Sequence, residues 1–415
     1  MKIVMPTMGK ITTTEGWCRH FLEIANNLSA LEHKVVVVSH TDNIPGLSKD
    51  CIQIRLPNIR SDWIRWPINV IAFPLAIAKA KLKYGCDIVL YRQWWSSAII
   101  ALVGRLCCMR IIPEVNSVLY YEYKQAKNAS FIGRNLRVAF NTISESLSYR
   151  LASRVIVVGD CEKEYIVSRY AVPPEKMTII YNGANIEVSH PMMKASCRQK
   201  LGLNMESLII VFVGTFYRWQ GLDTLVRSID IVRRSLPAIK LLLIGDGEVM
   251  QEIVQTVKDL QLGQNISLVG RVDYHAVPDY VGVADVCAGR FESAKYSGVG
   301  GSPLKIVEYL ACGRPVVCSR TRSYWEYIET ERLGALVEPE NPRALAETFV
   351  RLLSDRRELE QMGKRCRSYA EAHLSWKRAA KEVEKVCKES LSPPVQIGKA
   401  KCTISPLPRT GVGSQ

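Results

Sequence analysis

Short runs of β-branched and aliphatic residues alternate with stretches whose apolar positions recur every three or four residues. Residues 2–6 read as a strand, followed by a loop over 7–16 and a helix from Trp17. The apolar residues of that helix, Trp17, Phe21, Ile24, Leu28 and Leu31, fall at helical spacing. Val35–Ser39 is a continuous β-branched run, as expected of a strand covered on both faces. Ile88–Tyr91, Ile111–Val115 and Arg154–Val158 read as further parallel strands with helices between them, and Met177–Tyr181 closes the series.

After a stretch containing Pro, Met and Lys, the pattern restarts. Strands are expected at 208–213, 240–244, 266–269, 285–288 and 315–318, with helices near 221–235, 247–260, 275–284, 303–312 and 342–354. Such alternation predicts doubly wound parallel sheets with ligands at the carboxyl ends of the strands. The predicted organisation is a domain over 1–185, a linker over 186–200 and a second domain over 201–375. A charged helix is expected over 376–390 and a disordered tail over 391–415, where no apolar period remains.

Length agrees with two cores, since 415 residues exceed what one usually serves. The 13 cysteines lack C-x-x-C pairs and zinc spacing, which points to reduced thiols in a cytoplasmic protein. Neither they nor the six dispersed histidines predict a metal site. The amino terminus has too short an apolar run for a signal peptide, and no run is long enough to span a bilayer. Net charge is +15, with 23 basic against 14 acidic residues over 1–185 and 32 against 26 in the remainder. The first half also carries Trp63-Ile64-Arg65-Trp66, an apolar stretch to Leu75, then Lys79, Lys81 and Lys83. Aromatic residues beside an apolar face with a basic rim suit an anionic membrane surface; a core helix with a solvated basic edge has the same pattern. No basic run with interleaved aromatics forms a nucleic-acid platform, so nucleic acid is not an expected partner.

The most informative stretch is 301–319, GSPLKIVEYLACGRPVVCS. A glycine-led loop enters a short helix carrying one glutamate, glycine ends the helix, and a β-branched run follows. Amides at a helix start attract phosphate, and a carboxylate one turn in accepts hydrogen bonds from sugar hydroxyls. That combination suits a nucleotide-linked sugar.

The stretch resembles the signature of glycosyltransferase family 4. VFVGTFYRWQGLDTL at Val211–Leu225 is similar to the segment that opens the family's donor domain. LLLIGDGE at Leu241–Glu248, VGRVD at Val269–Asp273, Ala284-Asp285 and Asn182-Gly183-Ala184-Asn185 follow in the family's order. The resemblance covers roughly residues 1–390 and is stronger in the second half. It implies a GT-B fold: two facing Rossmann-like α/β domains with a cleft between them, the last helix crossing back to the first domain.

By that resemblance, Glu308 receives the ribose hydroxyls, Ser302 and Leu304 offer backbone amides to the diphosphate, and Lys305 neutralises it. Gly301 and Pro303 complete this loop. Gly214, Gln220, Gly245 and Arg271 are further expected donor contacts; Arg271 is expected to meet the base through its backbone, with a solvated edge as the competing reading. Exposed helix glutamates and surface lysines are common, and remain competing readings for Glu308 and Lys305. Gly16 either lets a backbone amide approach phosphate or caps its helix. Glu114 and Asn116 end a predicted strand, the place for catalytic contacts with the transferred sugar, although Glu114 could pair with a basic neighbour instead.

The chain also departs from the family. Gly300 stands where a second glutamate is usual, and Thr215 and Gln220 replace a common arginine and lysine. Arg218 and Lys305 are the expected catalytic replacements. The resemblance implies retaining transfer from a UDP- or GDP-type sugar to a polysaccharide, lipid-linked or glycolipid acceptor, without a cofactor or essential metal. The scattered thiols and the basic, aromatic-flanked stretch of the first half add the expectation of a cytoplasmic protein peripheral to the inner face of the membrane. A non-catalytic sugar-nucleotide-binding subunit and a GT-B epimerase are the alternative readings.

Overall fold

A computed structural model describes residues 1–12, 16–57, 62–94, 97–116, 131–291, 302–320 and 326–392. Gly300, Gly301, the side chains of Trp63–Trp66 and the expected tail beyond 392 lie outside the described residues.

The first sheet holds seven strands: β1 (Lys2–Pro6), β2 (Lys34–Ser39), β3 (Ile52–Arg55), β4 (Ile88–Arg92), β5 (Arg110–Val115), β6 (Val155–Val157) and β7 (Met177–Ile179). Their order is β3-β2-β1-β4-β5-β6-β7 and every pairing is parallel. The second sheet contains β8 (Ile209–Val213), β9 (Lys240–Ile244), β10 (Ile266–Gly270), β11 (Val286–Ala288), β12 (Val316–Ser319) and β13 (Gly334–Val337). Its order is β10-β9-β8-β11-β12-β13, again parallel throughout. Strand order reverses between β1 and β4 and between β8 and β11, and such reversals open a crevice at the strands' carboxyl ends.

Fourteen described helices connect the strands. Those of the first half are α1 (Gly16–Ala30), α2 (Asp62–Tyr84), α3 (Ser97–Leu106), α4 (Phe131–Leu151) and α5 (Asp160–Tyr170). Then come α6 (Lys194–Lys200), α7 (Leu222–Ser235), α8 (Met250–Asp259), α9 (Val277–Gly282) and α10 (Leu304–Ala311). The last four are α11 (Glu326–Thr330), α12 (Pro342–Leu353), α13 (Arg356–His373) and α14 (Trp376–Leu391).

Alternation along the strands divides the first core into two layers. Ile3, Met5, Val35, Val37, Ile88 and Leu90 pack with α1 and α14, whereas Val4, Val36, Val38 and Val89 pack with α2 and α3. Helix α14 follows the second domain in sequence but inserts Trp376, Ala379, Val383, Val386 and Cys387 into the first domain's core. Their three-to-four-residue spacing makes one apolar stripe, so the crossing helix is anchored by burial rather than by its charged face.

Two strands had little signal in the sequence. Both β3 and β13 are four-residue edge strands, each paired on one side and only partly buried. Within the expected linker, Lys194–Lys200 instead forms α6, and Lys194 and Arg198 bind Asp285 of the second domain at 2.6 and 3.0 Å. No described helix is long and apolar enough to cross a membrane.

Candidate active site

The chain crosses between domains at Asn182–Asn185, and the candidate site surrounds that crossing. On the first-domain side α1 begins at Gly16, directly against α10: a Cβ at Gly16 would stand 3.4 Å from Leu304 Cδ1. One turn into α1, the His20 ring is buried and packs edge-on against Trp376. Its Nε2 is hydrogen-bonded to Glu114 Oε1 at 2.7 Å and its Nδ1 to Asn182 Oδ1 at 2.7 Å. The Asn182 orientation is set because its Nδ2–H donates to the Ser302 carbonyl at 2.6 Å. Both histidine nitrogens therefore face side-chain oxygens, one from each end of this contact chain. Glu114, Asn182 and Ser302 come from β5, the crossing and the loop before α10, so this chain of contacts joins the two domains.

Burial alone would raise the Glu114 carboxyl's pKa. The charge and hydrogen bond of His20, with Arg92 beyond, outweigh that effect and hold it below the usual carboxylate range. Asn116 lies just beyond β5, its amide buried beside the Glu114 carboxyl, whose pKa it also helps to hold down.

A second set of contacts involves Glu308. Arg19 Nη1 lies 3.8 Å from Glu308 Oε1, and its guanidinium covers the Tyr274 ring. Asn185 Nδ2–H donates to Glu23 Oε1 at 3.0 Å, close to the same arginine. Burial pushes the Glu308 carboxyl up to about 7 despite Arg19, with Glu23 adding to the rise. Thus Glu308 sits where losing a proton is costly unless hydrogen-bond donors arrive.

The second-domain wall is built on close backbone approach. Gly214, at φ +146°, follows β8, and a Cβ there would come 2.8 Å from Lys305 Nζ. Gly245 follows β9 at φ +136°, and a Cβ there would meet the Gly214 carbonyl oxygen at 2.0 Å. Neither site accommodates a side chain without rearrangement. Lys305 Nζ donates to Gln220 Oε1 at 3.0 Å and lies 3.8 Å from the Phe212 ring centroid. Burial, followed by the nearby Arg290 charge, lowers its pKa well below the usual lysine value. Arg290 is itself buried, stacked over Trp219 at 4.6 Å, at the β8/β11 reversal. Two basic side chains thus converge beside the start of α10, where backbone amides lack intrahelical acceptors. The arrangement can hold a diphosphate.

Residues 16–188 match the family model Glycosyltransferase Family 4, and residues 193–369 match Glycosyl transferases group 1. The chain belongs to glycosyltransferase family 4. A D-inositol 3-phosphate glycosyltransferase of Streptomyces bingchenggensis is 25% identical over 86% of this chain and 76% of its own. The crystal structure of a glycosyltransferase from Rickettsia africae superposes with a TM-score of 0.75 at 18% identity, covering 94% of this chain and 98% of that one. Anabaena HepE in complex with UDP-glucose gives 0.71 at 16% identity, with 94% and 100% covered. The two facing parallel-sheet domains are the GT-B architecture, and this family 4 chain is a GT-B glycosyltransferase.

Of the residues the resemblance singled out, Gly214, Gln220, Lys305, Leu304, Pro303, Ser302, Glu308 and Gly16 gather around α10 and the crossing. Pro303 caps α10 with φ −63°. Glu114 and Asn116 approach from β5. Gly301 lies outside the described residues. Arg218 instead forms a paired contact with Glu252 and lies 3.5 Å from Glu248, on the exposed side of its turn. Arg271 is exposed, 3.9 Å from Asp246. His20, Asn182, Arg19 and Arg290 join the site without individual sequence signatures, although Asn182 opened a recognised tetrapeptide. Among the described residues no group of three or more His, Cys, Asp or Glu side chains is placed to hold a metal ion.

Proposed function

We propose that this chain transfers a hexosyl group from a UDP- or GDP-linked sugar to a polysaccharide or lipid-linked acceptor, with retention at the anomeric carbon. The observation that carries the reading is the convergence of Lys305 and Arg290 at the start of α10, one turn from Glu308. In this reading the ribose hydroxyls donate to Glu308, and the first-turn amides of Leu304 and Lys305 meet the diphosphate. The UDP-glucose bound to HepE supports a uridine nucleotide as the first donor to test.

The bond from the anomeric carbon to the diphosphate oxygen breaks as an acceptor hydroxyl attacks the same face. The hydroxyl proton passes to the departing phosphate oxygen, so no protein nucleophile is needed. Lys305, Arg290 and the helix start stabilise the charge developing on that leaving group, with no essential metal in this scheme. Glu114 and Asn116 border the transferred sugar from the first domain. The enzyme would work in the cytoplasm on an acceptor at the inner face of the membrane, building a surface polysaccharide or glycolipid.

Calorimetry with UDP, GDP and ADP tests the donor site. One base should bind in the micromolar range, and Glu308→Ala should weaken it by about 1.5 kcal/mol, the scale of a charged hydrogen bond. Absence of binding by all three would overturn the assignment. The anomeric configuration of the product, read by NMR, tests retention.

A further inference from the structure

Helices α2, α3 and α4 form one layer over the first sheet, with α3 packed between the other two. Their inner faces bury Phe73, Ile77, Ile100 and Ala101. Their outer faces are also apolar. On α2, Ile71, Leu75 and Leu82 are exposed, Leu82 to 87%, at intervals of four and seven residues that keep them on one side. On α3, Leu102 and Leu106 are exposed one turn apart, Leu106 to 74%. On α4, Phe140, Ile143 and Leu147 follow the same rule at intervals of three and four. Single exposed leucines are ordinary; aligned ones on three adjacent helices form a patch.

Charge on this layer has one sign. Lys79 and Lys83 of α2, Arg105 of α3 and Arg150 of α4 are exposed. The only carboxylate among the described side chains of these helices is Glu145, which is buried and accepts from Tyr170. Other surface helices mix their charges: α7 pairs Arg227 with Asp223, α12 pairs Arg343 with Glu347, and α13 pairs Arg367 with Glu371. A second copy of the chain seated symmetrically on this layer would bring like charges together.

We propose that the outer face of α2, α3 and α4 docks on an anionic lipid bilayer, its leucines and phenylalanine entering the headgroup region and its lysines and arginines meeting lipid phosphates. Each of these helices follows a parallel strand, so each starts at the cleft end of the sheet. The face thus extends along the domain from the cleft edge, and docking holds the cleft beside the lipid surface. Only this last link, to an acceptor carried in the membrane, rests on the proposed transfer reaction.

The test is co-sedimentation of the full chain with phosphatidylcholine vesicles, with and without phosphatidylglycerol, in the absence of nucleotide. Binding should require the anionic lipid. Leu75→Asn with Leu82→Asn and Leu106→Asn should weaken it about tenfold or more at unchanged UDP affinity. Lys79→Glu with Lys83→Glu and Arg105→Glu should do the same, and keeps the test available should the apolar variant fold poorly. Equal binding to neutral vesicles, or variants that bind as tightly as wild type, would overturn the proposal. So would a wild type that ignores vesicles but forms a dimer, in sedimentation velocity, that the asparagine variant abolishes. UDP affinity is read separately, so failure of docking and failure of the donor site give different results.

Discussion

His20 and Glu114 lie 94 residues apart in the chain and meet at 2.7 Å, both buried. The contact joins α1 to the end of β5, and through Asn182 it continues to the carbonyl of Ser302 in the other domain. Two first-domain elements and the donor loop are therefore held in one polar chain. A buried pair of this kind adds little over an apolar replacement of both partners, but losing one partner strands the other.

Glu114→Gln or His20→Ala should therefore destabilise the protein by about 3 kcal/mol at neutral pH. Because His20 holds the Glu114 carboxyl below its ordinary range, the folded state resists its protonation. Its stabilising contribution is full above about pH 4.3, the unfolded carboxylate value, and is lost as pH falls through the lower folded value. Melting curves of wild type and Glu114→Gln, followed downward from about pH 7, should converge as pH falls through that lowered folded value. A constant gap would show that the contact acts by packing alone.

Glu308 predicts the opposite trend. Its carboxyl is raised to about 7 by burial, so the free protein prefers it protonated. That preference stabilises the fold below the unfolded value and is lost as pH rises from 4.5 to about 7. Glu308→Gln should then leave the free protein unchanged near pH 4 and stabilise it at pH 8 by roughly 3 kcal/mol at most. The same variant should bind nucleotide diphosphate less tightly, since an amide is a weaker acceptor for ribose hydroxyls than a carboxylate. Thermal melting at the two pH values, with calorimetry beside it, measures both effects. Gains in stability and in affinity together would contradict a ribose role.

Arg290 and Arg218 give a contrast. Arg290 is buried beside Lys305, whereas Arg218 is exposed and engaged with Glu252 and Glu248. Arg290→Ala should weaken UDP binding about tenfold or more, as loss of a charge-assisted contact does, and Arg218→Ala should change it less than threefold. A bound diphosphate should also restore the proton that burial and Arg290 disfavour on Lys305. Calorimetry across the neutral to alkaline range, in buffers of different ionisation enthalpy, should then show a window of proton uptake on binding that is absent in Lys305→Met. Equal losses from both arginine variants would move the diphosphate toward Arg218.

These contrasts also explain what the sequence could convey. The order of strands was readable because fully buried parallel strands such as Val35–Ser39 appear as unbroken apolar runs. β3 and β13 were not: each is four residues long and only partly buried, so neither presents such a run. Lys305 and Glu308 were readable because one helix and its preceding loop fix them together. Arg290 was not: it reaches the site through the β8/β11 reversal and its stacking on Trp219, seventy-one positions earlier in the chain. Arg218 shows the converse. A cation at a suggestive place in a motif was engaged by two glutamates from the following loop and helix, a contact that loop spacing cannot reveal. His20 occupies an ordinary polar position within an amphipathic helix, and only the crossing of Asn182 over that helix gives it a role.

Gly183 tests how far the crossing itself controls the cleft. Ala184 N–H donates to the Leu374 carbonyl at 2.7 Å, and Trp376 N–H donates to the Ala184 carbonyl at 3.2 Å, so the two interdomain strands of chain lie side by side. A Cβ on Gly183 would stand 2.4 Å from the Trp376 backbone nitrogen and 2.5 Å from the Ser375 carbonyl carbon. Both are backbone atoms and cannot turn aside as a side chain would. Gly183→Ala must therefore push the two connections apart, loosening Trp376 from the His20 ring and the first core. The expected cost is about 2 kcal/mol or more, as for overpacking at a tight site. Donor affinity should fall less than transfer rate, because the second domain retains its own wall while the first-domain residues lose their register. Comparing the melting temperature, UDP affinity and sugar transfer of Gly183→Ala with wild type checks this. Unchanged transfer at reduced stability would show that the crossing supports the fold without setting the alignment of the two domains.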